Sequence, residues 1–430
     1  MMIAVIGLGF VGLTTALGLA TQTGRLVYAY DSNANLRAKL KSGEVPFHEP
    51  GLKDKLHELL GSGLIICDTL AEALEHTSII FYCVGTPSRP DGAADLDALT
   101  GAIRQSLPLL RKDSYCTLVI KSTVPPMTTT DVLAPLLKNS GHMVGESVGL
   151  AHNPEFLREG RAWQDFIHPD RIVIGACDAY SMRQLEQLYE PFGAPVLAVS
   201  PGTAEFTKMA SNALLATMIS FSNELAALAE GSPEIDISQA FRLLHADGRW
   251  QGGGMASYVY PGCGFGGYCL PKDTLSLYRY SQKIGRESTL LGGVLAVNVR
   301  TKRAFAERVV AAAGPKSKVA VLGLAFKPGS DDVRETPAAD IITHLLELGV
   351  TDIVAYDPLA ISRFRDVYGF PIRYAHSLEE ALEGRDLAAL VTAWPEFTAR
   401  QLLFERVQVI DGRYCLGKRE FVLPTQLRRS

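Results

Sequence analysis

The run PGCGFGGYCLPKD, residues 261–273, holds a possible nucleophile inside a ligand-wrapping loop. Its glycines let a backbone close tightly on a ligand, and Pro271 suits the first turn of a helix that begins just after Cys269. A thiol at a helix N-terminus with Lys272 beside it is biased towards thiolate, the reactive form. A cysteine taken at random is more often a buried structural one, and Cys263 in the same run is read that way. For Cys269 the glycine loop and the Pro-Lys-Asp sequel favour the nucleophile.

Other candidates lie at strand ends and on a helix. Lys208 and Asn212, four residues apart in AEFTKMASNALLATMISFSNELAALAE, share a helix face and can aim a cation and an amide at one oxygen. A solvated face is the plainer reading, but their companions are the apolar Phe206, Met209 and Leu215. NPEFLREG, residues 153–160, follows a strand and carries Glu155 and Glu159. These two are read either as site carboxylates or as ordinary acids of a helix first turn. Gly85-Thr86-Pro87 and Lys121-Ser122-Thr123 are further strand ends, individually uninformative. In AFKPGSDDVRE, Lys327 and Arg334 fall where a phosphate loop would lie, and would hold phosphate through side chains.

The clearest binding signal is Gly7-Leu8-Gly9-Phe10-Val11-Gly12, after a strand and opening a helix. Gly7 permits the tight turn, Gly9 lets a pyrophosphate approach the backbone, and Gly12 allows close helix-sheet packing. Asp31 ends the next strand, where a carboxylate binds ribose hydroxyls and repels the extra phosphate of NADP. The pattern predicts NAD.

The elements that position these residues follow from periodicity. Over 1–200, MIAVIG, LVYAYD, LIICD, SIIFYCVG, YCTLVIKST, VGLAHN, RIVIGA and PVLAV alternate with helical patterns, which predicts a parallel sheet. Residues 201–302 read as a helical connector with one long helix, and the same region carries the cysteine loop. From 303 to 430, KVAVLGLAF, TDIVAYD, DLAALVTAW and RVQVIDGR return to strand-helix alternation. The fold class expected is α/β, with two Rossmann-like doubly wound parallel-sheet domains joined by that connector, because VIGLGFVG with LVYAYD is echoed by VLGLAFKPG with DIVAYD.

Composition closes off several functions. A chain of 430 residues needs more than one core, and 47% hydrophobic content can supply it. A net charge of -4 without a basic block argues against nucleic acid as partner. Seven scattered cysteines form neither a disulfide framework nor a zinc pattern, which favours a reducing, cytoplasmic setting without a metal. The apolar first twenty residues lack a basic n-region and an A-x-A site, and their glycine spacing explains them better than a signal peptide or a membrane span.

Together GLGFVG, VGTP, KSTVPP, NPEFLREG, the helix with Lys208 and Asn212, GFGGYCLPKD and GLAFKPGSDDVRETP closely resemble the UDP-glucose/GDP-mannose dehydrogenase family over essentially the whole chain. The resemblance implies an N-terminal NAD domain, a C-terminal nucleotide-sugar domain and a homodimer formed through the long helix. It makes Cys269 the nucleophile, Lys208 and Asn212 the oxyanion partners, Asp273 and Thr123 the organisers of a catalytic water, and Glu155 the aid to thioester hydrolysis. Gly7, Gly9, Phe10, Val11, Gly12, Asp31, Thr86, Thr123, Glu159, Lys272 and Arg334 would line the cofactor. Glu155, Phe156, Leu157, Lys208, Asn212, Lys327 and the loop from Tyr258 through Gly262 and Phe265 to Gly266 would hold a UDP-sugar.

Two departures stand out. Where the family often has a basic residue five positions after the ribose acid, this chain has Leu36, followed by Arg37. The family arginine that reaches a neighbouring subunit's substrate is best matched by Arg249, in a longer segment than usual. The resemblance implies oxidation of a primary alcohol to a carboxylate with two NADH per sugar, on UDP-glucose first, with UDP-N-acetylhexosamine or GDP-mannose behind it. A two-electron hydroxyacid-type dehydrogenase, needing no thiol, and a dinucleotide-sensing binding protein are the competing expectations.

Overall fold

The computed structural model describes residues 2–111, 114–230, 232, 234–247, 258–286 and 288–416. It divides into two compact units, Met1–Ser211 and Asn212–Ser430. The division falls inside one unbroken helix, Pro201–Ala229. The helix Thr289–Ala313 spans residues 302 and 303, between which the expected connector and second Rossmann-like region meet.

The N-terminal unit is built on β1 (Ile3–Ile6), β2 (Val27–Tyr30), β3 (Leu64–Ile66), β4 (Ile79–Tyr82), β5 (Cys116–Ile120), β6 (Val148–His152), β7 (Ile172–Ala176) and β8 (Val196–Val199). They form one sheet in the order β3-β2-β1-β4-β5-β6-β7-β8. The order reverses between β1 and β4, the switch point at which doubly wound sheets hold nucleotides. β1, β4 and β5 are buried along their whole length, which is why they read as continuous apolar runs instead of alternating ones. The expectation of a wholly parallel sheet needs one correction: β7 runs antiparallel to β6, pairing Ala151 with Ala176 and His152 with Gly175. A buried apolar run encodes a strand but carries no mark of direction.

The C-terminal unit carries β9 (Lys318–Leu322), β10 (Asp352–Tyr356), β11 (Arg373–Tyr374), β12 (Leu387–Leu390) and β13 (Gln408–Asp411), in the order β11-β10-β9-β12-β13. All four pairings are parallel. The helix Pro337–Glu347 starts on a Thr336 cap with proline in its first turn, and Ser288 caps Thr289–Ala313 through the amide of Leu291.

The echo between the units is atomic. Gly7 at φ 89° donates its N–H to Tyr30 O at 2.8 Å, and Gly323 at φ 92° donates to Tyr356 O at 2.8 Å. Asp31 accepts from Leu8 N at 2.7 Å, as Asp357 accepts from Leu324 N at 2.7 Å. They differ in access. Asp31 is half-buried, whereas Asp357 is enclosed and also accepts from Ala325 N and Trp394 Nε1. Only the first acid is left reachable by a ribose.

Candidate active site

In the N-terminal unit the β1 turn leads into the helix Phe10–Thr23, capped by Gly9. A Cβ on Gly12 would stand 1.7 Å from Gly7 O, so helix and turn close as they do only with glycine there; a Cβ on Gly9 would meet nothing within 4 Å. That open backbone at a helix N-terminus, with Asp31 at the neighbouring strand end, fits a pyrophosphate and its ribose. Arg37, one place after Leu36, donates to the backbone O of Asp31 at 2.6 Å and lies over the Tyr30 ring.

The other strand ends converge within this unit. Thr86 Oγ1 donates to Thr123 O at 2.7 Å, joining the ends of β4 and β5. Glu155, buried after β6, meets Lys208 Nζ at 3.1 Å through one oxygen, and its other oxygen accepts from Leu157 N at 2.6 Å. Burial works against its charge, but Lys208, the Leu157 amide and Lys121 outweigh it and hold the carboxyl below its ordinary value. Phe156 meets two cations at its ring, with Lys208 Nζ at 5.3 Å and Arg171 at 4.3 Å from the ring centre. Glu159 is half-buried.

In the C-terminal unit Cys269 is the first residue of the helix Cys269–Lys283, two residues earlier than Pro271 suggests, and is half-buried. Pro271 is accommodated because first-turn amides have no intrahelical acceptor. Lys272 Nζ holds Asp273 Oδ1 at 2.5 Å and Asn212 Nδ2 donates to Oδ2 at 2.6 Å. Burial disfavours the Lys272 charge, yet Asp273 reverses the balance and keeps it above the usual lysine value. Arg334 grips Asp332 with two nitrogens and lies 4.2 Å from the Tyr268 ring, on which Lys272 also rests.

The glycine loop before Cys269 is held by two amides that sequence reasoning missed. Asn298 accepts from Phe265 N at 2.8 Å and donates to Phe265 O at 3.1 Å, and Asn223 accepts from Gly262 N at 2.7 Å. Asn223 lies on the same long helix as Lys208 and Asn212 but is not singled out there by its sequence, and Asn298 lies in no motif. A Cβ on Gly266 would stand 2.3 Å from Glu335 O, so the loop is pressed against the 325–335 segment that carries Lys327. Lys327 is half-buried, with its ammonium 5.5 Å from the Phe326 ring centre, and Tyr258 begins the loop half-buried. Cys263 is fully buried against Gly412 O, and burial pushes its thiol up to about 11. Arg249 lies outside the described residues.

Three family profiles match in chain order: the NAD binding domain of the UDP-glucose/GDP-mannose dehydrogenase family at residues 1–193, its central domain at 202–300 and its UDP binding domain at 320–418. A UDP-glucose 6-dehydrogenase of Haloferax volcanii is 37% identical over 432 residues, 98% of each chain. The chain belongs to the UDP-glucose/GDP-mannose dehydrogenase family. A UDP-glucose 6-dehydrogenase of Pseudomonas aeruginosa is also 37% identical, over 96% of this chain and 93% of that one. A UDP-glucose dehydrogenase structure from Pyrobaculum islandicum superposes with a TM-score of 0.89 at 37% identity, covering 96% of this chain and 94% of that one. A UDP-D-ManNAc dehydrogenase structure from Pyrococcus horikoshii gives 0.85 at 29% identity, covering 97% and 96%. As a member of this family the chain is an NAD-dependent dehydrogenase of nucleotide sugars, and residues 1–193 match its NAD binding domain. Among the described residues no helix is long and apolar enough to cross a membrane.

Proposed function

We propose that the enzyme oxidises the C6 alcohol of UDP-glucose to the carboxylate of UDP-glucuronate through a covalent intermediate on Cys269. The observation that carries this reading is a half-buried thiol opening the helix Cys269–Lys283, beside a carboxylate, Asp273, already bound by a lysine and an amide. UDP-glucose is preferred because curated relatives at 34–37% identity are UDP-glucose 6-dehydrogenases.

NAD, when bound, would take up the hydride of the first oxidation, and a second NAD would take up that of the second. Water held by Asp273, with Thr123, or by Lys208 takes the hydroxyl proton of the alcohol. The Cys269 thiolate then adds to the aldehyde carbon, and the resulting oxyanion is stabilised by the Lys208 ammonium and the Asn212 amide. After the second oxidation the carbon is a thioester, to which water adds with Glu155 accepting its proton. The C–S bond breaks, and Cys269 leaves as thiolate. Glu155 suits that role because its paired cations keep it ionised at neutral pH. Lys327 and the loop backbone hold the nucleotide, while Thr86, Glu159, Lys272 and Arg334 lie along the cofactor. Among the described residues the seven cysteines form no disulfide, in agreement with a cytoplasmic setting.

We also assign the long helix to a homodimer. Leu214, Phe221 and Leu228 recur at seven-residue spacing and are 51%, 49% and 69% exposed, an apolar stripe that a second copy can cover.

The test is stoichiometric. Wild type should yield two NADH per UDP-glucose, and Cys269→Ser should bind both ligands without net conversion to acid. One NADH per sugar, or full turnover by the variant, would sink the covalent route. UDP-N-acetylhexosamine and GDP-mannose in the same assay decide the sugar.

A further inference from the structure

Lys121 takes no part in the chemistry above, yet it is only 4% exposed. Among the described residues its ammonium donates to Asn153 alone, to the backbone O at 3.3 Å and to Oδ1 at 3.1 Å, with the Phe166 ring centre 5.8 Å away. Both acceptors are neutral. Burying an ammonium against neutral oxygens costs stability, and a neutral donor could bind the same two oxygens without that cost.

The placement of the pair suggests what that charge does. Lys121 follows β5 and Asn153 follows β6, strands whose last residues, Ile120 and His152, pair directly. Two residues beyond Lys121 stands Thr123, and two beyond Asn153 stands Glu155. Asn153 is itself fixed, accepting from Tyr189 Oη at 2.5 Å and donating to Val173 O at 2.8 Å. The tie therefore sets the spacing of two segments that carry proposed reacting groups.

The charged and titratable groups facing Lys121 are Cys83 after β4, Glu155 after β6, His152 at the end of β6 and Lys208 from the long helix. Burial brings the ammonium down to about 8, Cys83 and Glu155 oppose that fall, and Lys208 adds to it. At neutral pH it is still charged.

We propose that Lys121 is a positioning residue for the acid-forming step, tying the strand end of Thr123 to the loop of Glu155 and placing positive charge beside the Glu155 carboxylate. The inference rests on the hydrolytic role given to Glu155.

The test compares wild type, Lys121→Met, Lys121→Arg and Glu155→Gln by pH profiles of NADH release from UDP-glucose and by thermal unfolding. Lys121→Met should keep its KM values within about twofold while kcat falls about tenfold or more, and should melt only slightly lower, because Asn153 Oδ1 keeps Tyr189 Oη while the Asn153 backbone O loses its donor. Its acid limb should move to higher pH, because Glu155 loses a cation that holds its carboxyl down. Lys121→Arg should recover most of the rate and lose any alkaline limb near pH 8. Wild-type kcat and acid limb in Lys121→Met, beside an impaired Glu155→Gln, would overturn the Lys121 inference alone. A lower melting temperature in Lys121→Met with an unmoved pH profile would also overturn it, as a purely structural role. An unimpaired Glu155→Gln would instead remove the hydrolytic reading, and the inference with it.

Discussion

Asn212 donates its Nδ2 hydrogen to Oδ2 of Asp273 at 2.6 Å, across a contact closed to solvent. Lys272 takes the other oxygen at 2.5 Å, so both oxygens of a fully buried carboxylate are engaged. A carboxylate has about four acceptor positions, which leaves Asp273 able to order a water as well. Asp273→Asn would turn one acceptor into a donor and leave the Lys272 ammonium enclosed without its counter-ion. We expect a loss of about 3–5 kcal/mol of stability and most of the turnover. Thermal unfolding alongside NADH release checks this, and a variant melting with wild type would show that Lys272 finds another partner.

Gly9 and Gly12 separate folding from binding in one loop. A Cβ at Gly12 would stand 1.7 Å from Gly7 O, whereas at Gly9 it would meet nothing within 4 Å. Gly12→Ala should therefore lower both the melting temperature and NAD affinity. Gly9→Ala should melt as wild type yet lose NAD affinity by about tenfold or more, since its methyl occupies the space the pyrophosphate needs. Calorimetric NAD titration with parallel melts checks the pair, and wild-type NAD affinity in Gly9→Ala would refute the placement of the pyrophosphate.

The same loop shows why some of this molecule is legible in its sequence. Gly7, Gly12 and Asp31 announce themselves because the turn, the packing and the strand end each demand a residue type that few others can replace. The apolar runs that became strands are legible for a like reason, as a buried strand tolerates little else. The two-residue β11 is too short to leave a pattern, and the direction of β7 is invisible in an apolar run. Asn298 and Asn223 hold the cysteine loop from two helices of the connector, where nothing in the helical pattern sets them apart. An amide whose role is to bind one distant backbone group carries no local signal.

His152 links the interior of the N-terminal unit to acid stability. It is wholly enclosed, and among the described residues neither ring nitrogen has a hydrogen-bond partner. Burial, with Lys121 and Lys208 adding to it, pushes its pKa down from 6.5 to about 3. The folded state therefore holds the ring neutral while the unfolded chain takes a proton below about 6.5. The stability this represents is complete above pH 6.5 and is lost as pH falls towards 3, by a few kcal/mol over the full range. His152→Leu should show a smaller drop in melting temperature between pH 7 and pH 5 than wild type. Equal drops would place the acid sensitivity elsewhere.

The long helix supplies the last test. Leu214, Phe221 and Leu228 form its exposed stripe, while Ala213, Ala216, Ser220 and Asn223 on the same helix are buried within the chain. The buried residues belong to this chain's own packing and the stripe does not, so charge placed on the stripe should leave the fold intact. Phe221→Glu combined with Leu228→Glu sets like charges at seven-residue spacing on a face that two copies would share, where burial of a carboxylate without a partner is costly. Sedimentation should show wild type as a dimer and the double variant as a monomer with wild-type NAD affinity. A double variant that sediments with wild type as a dimer would move the contact to another face.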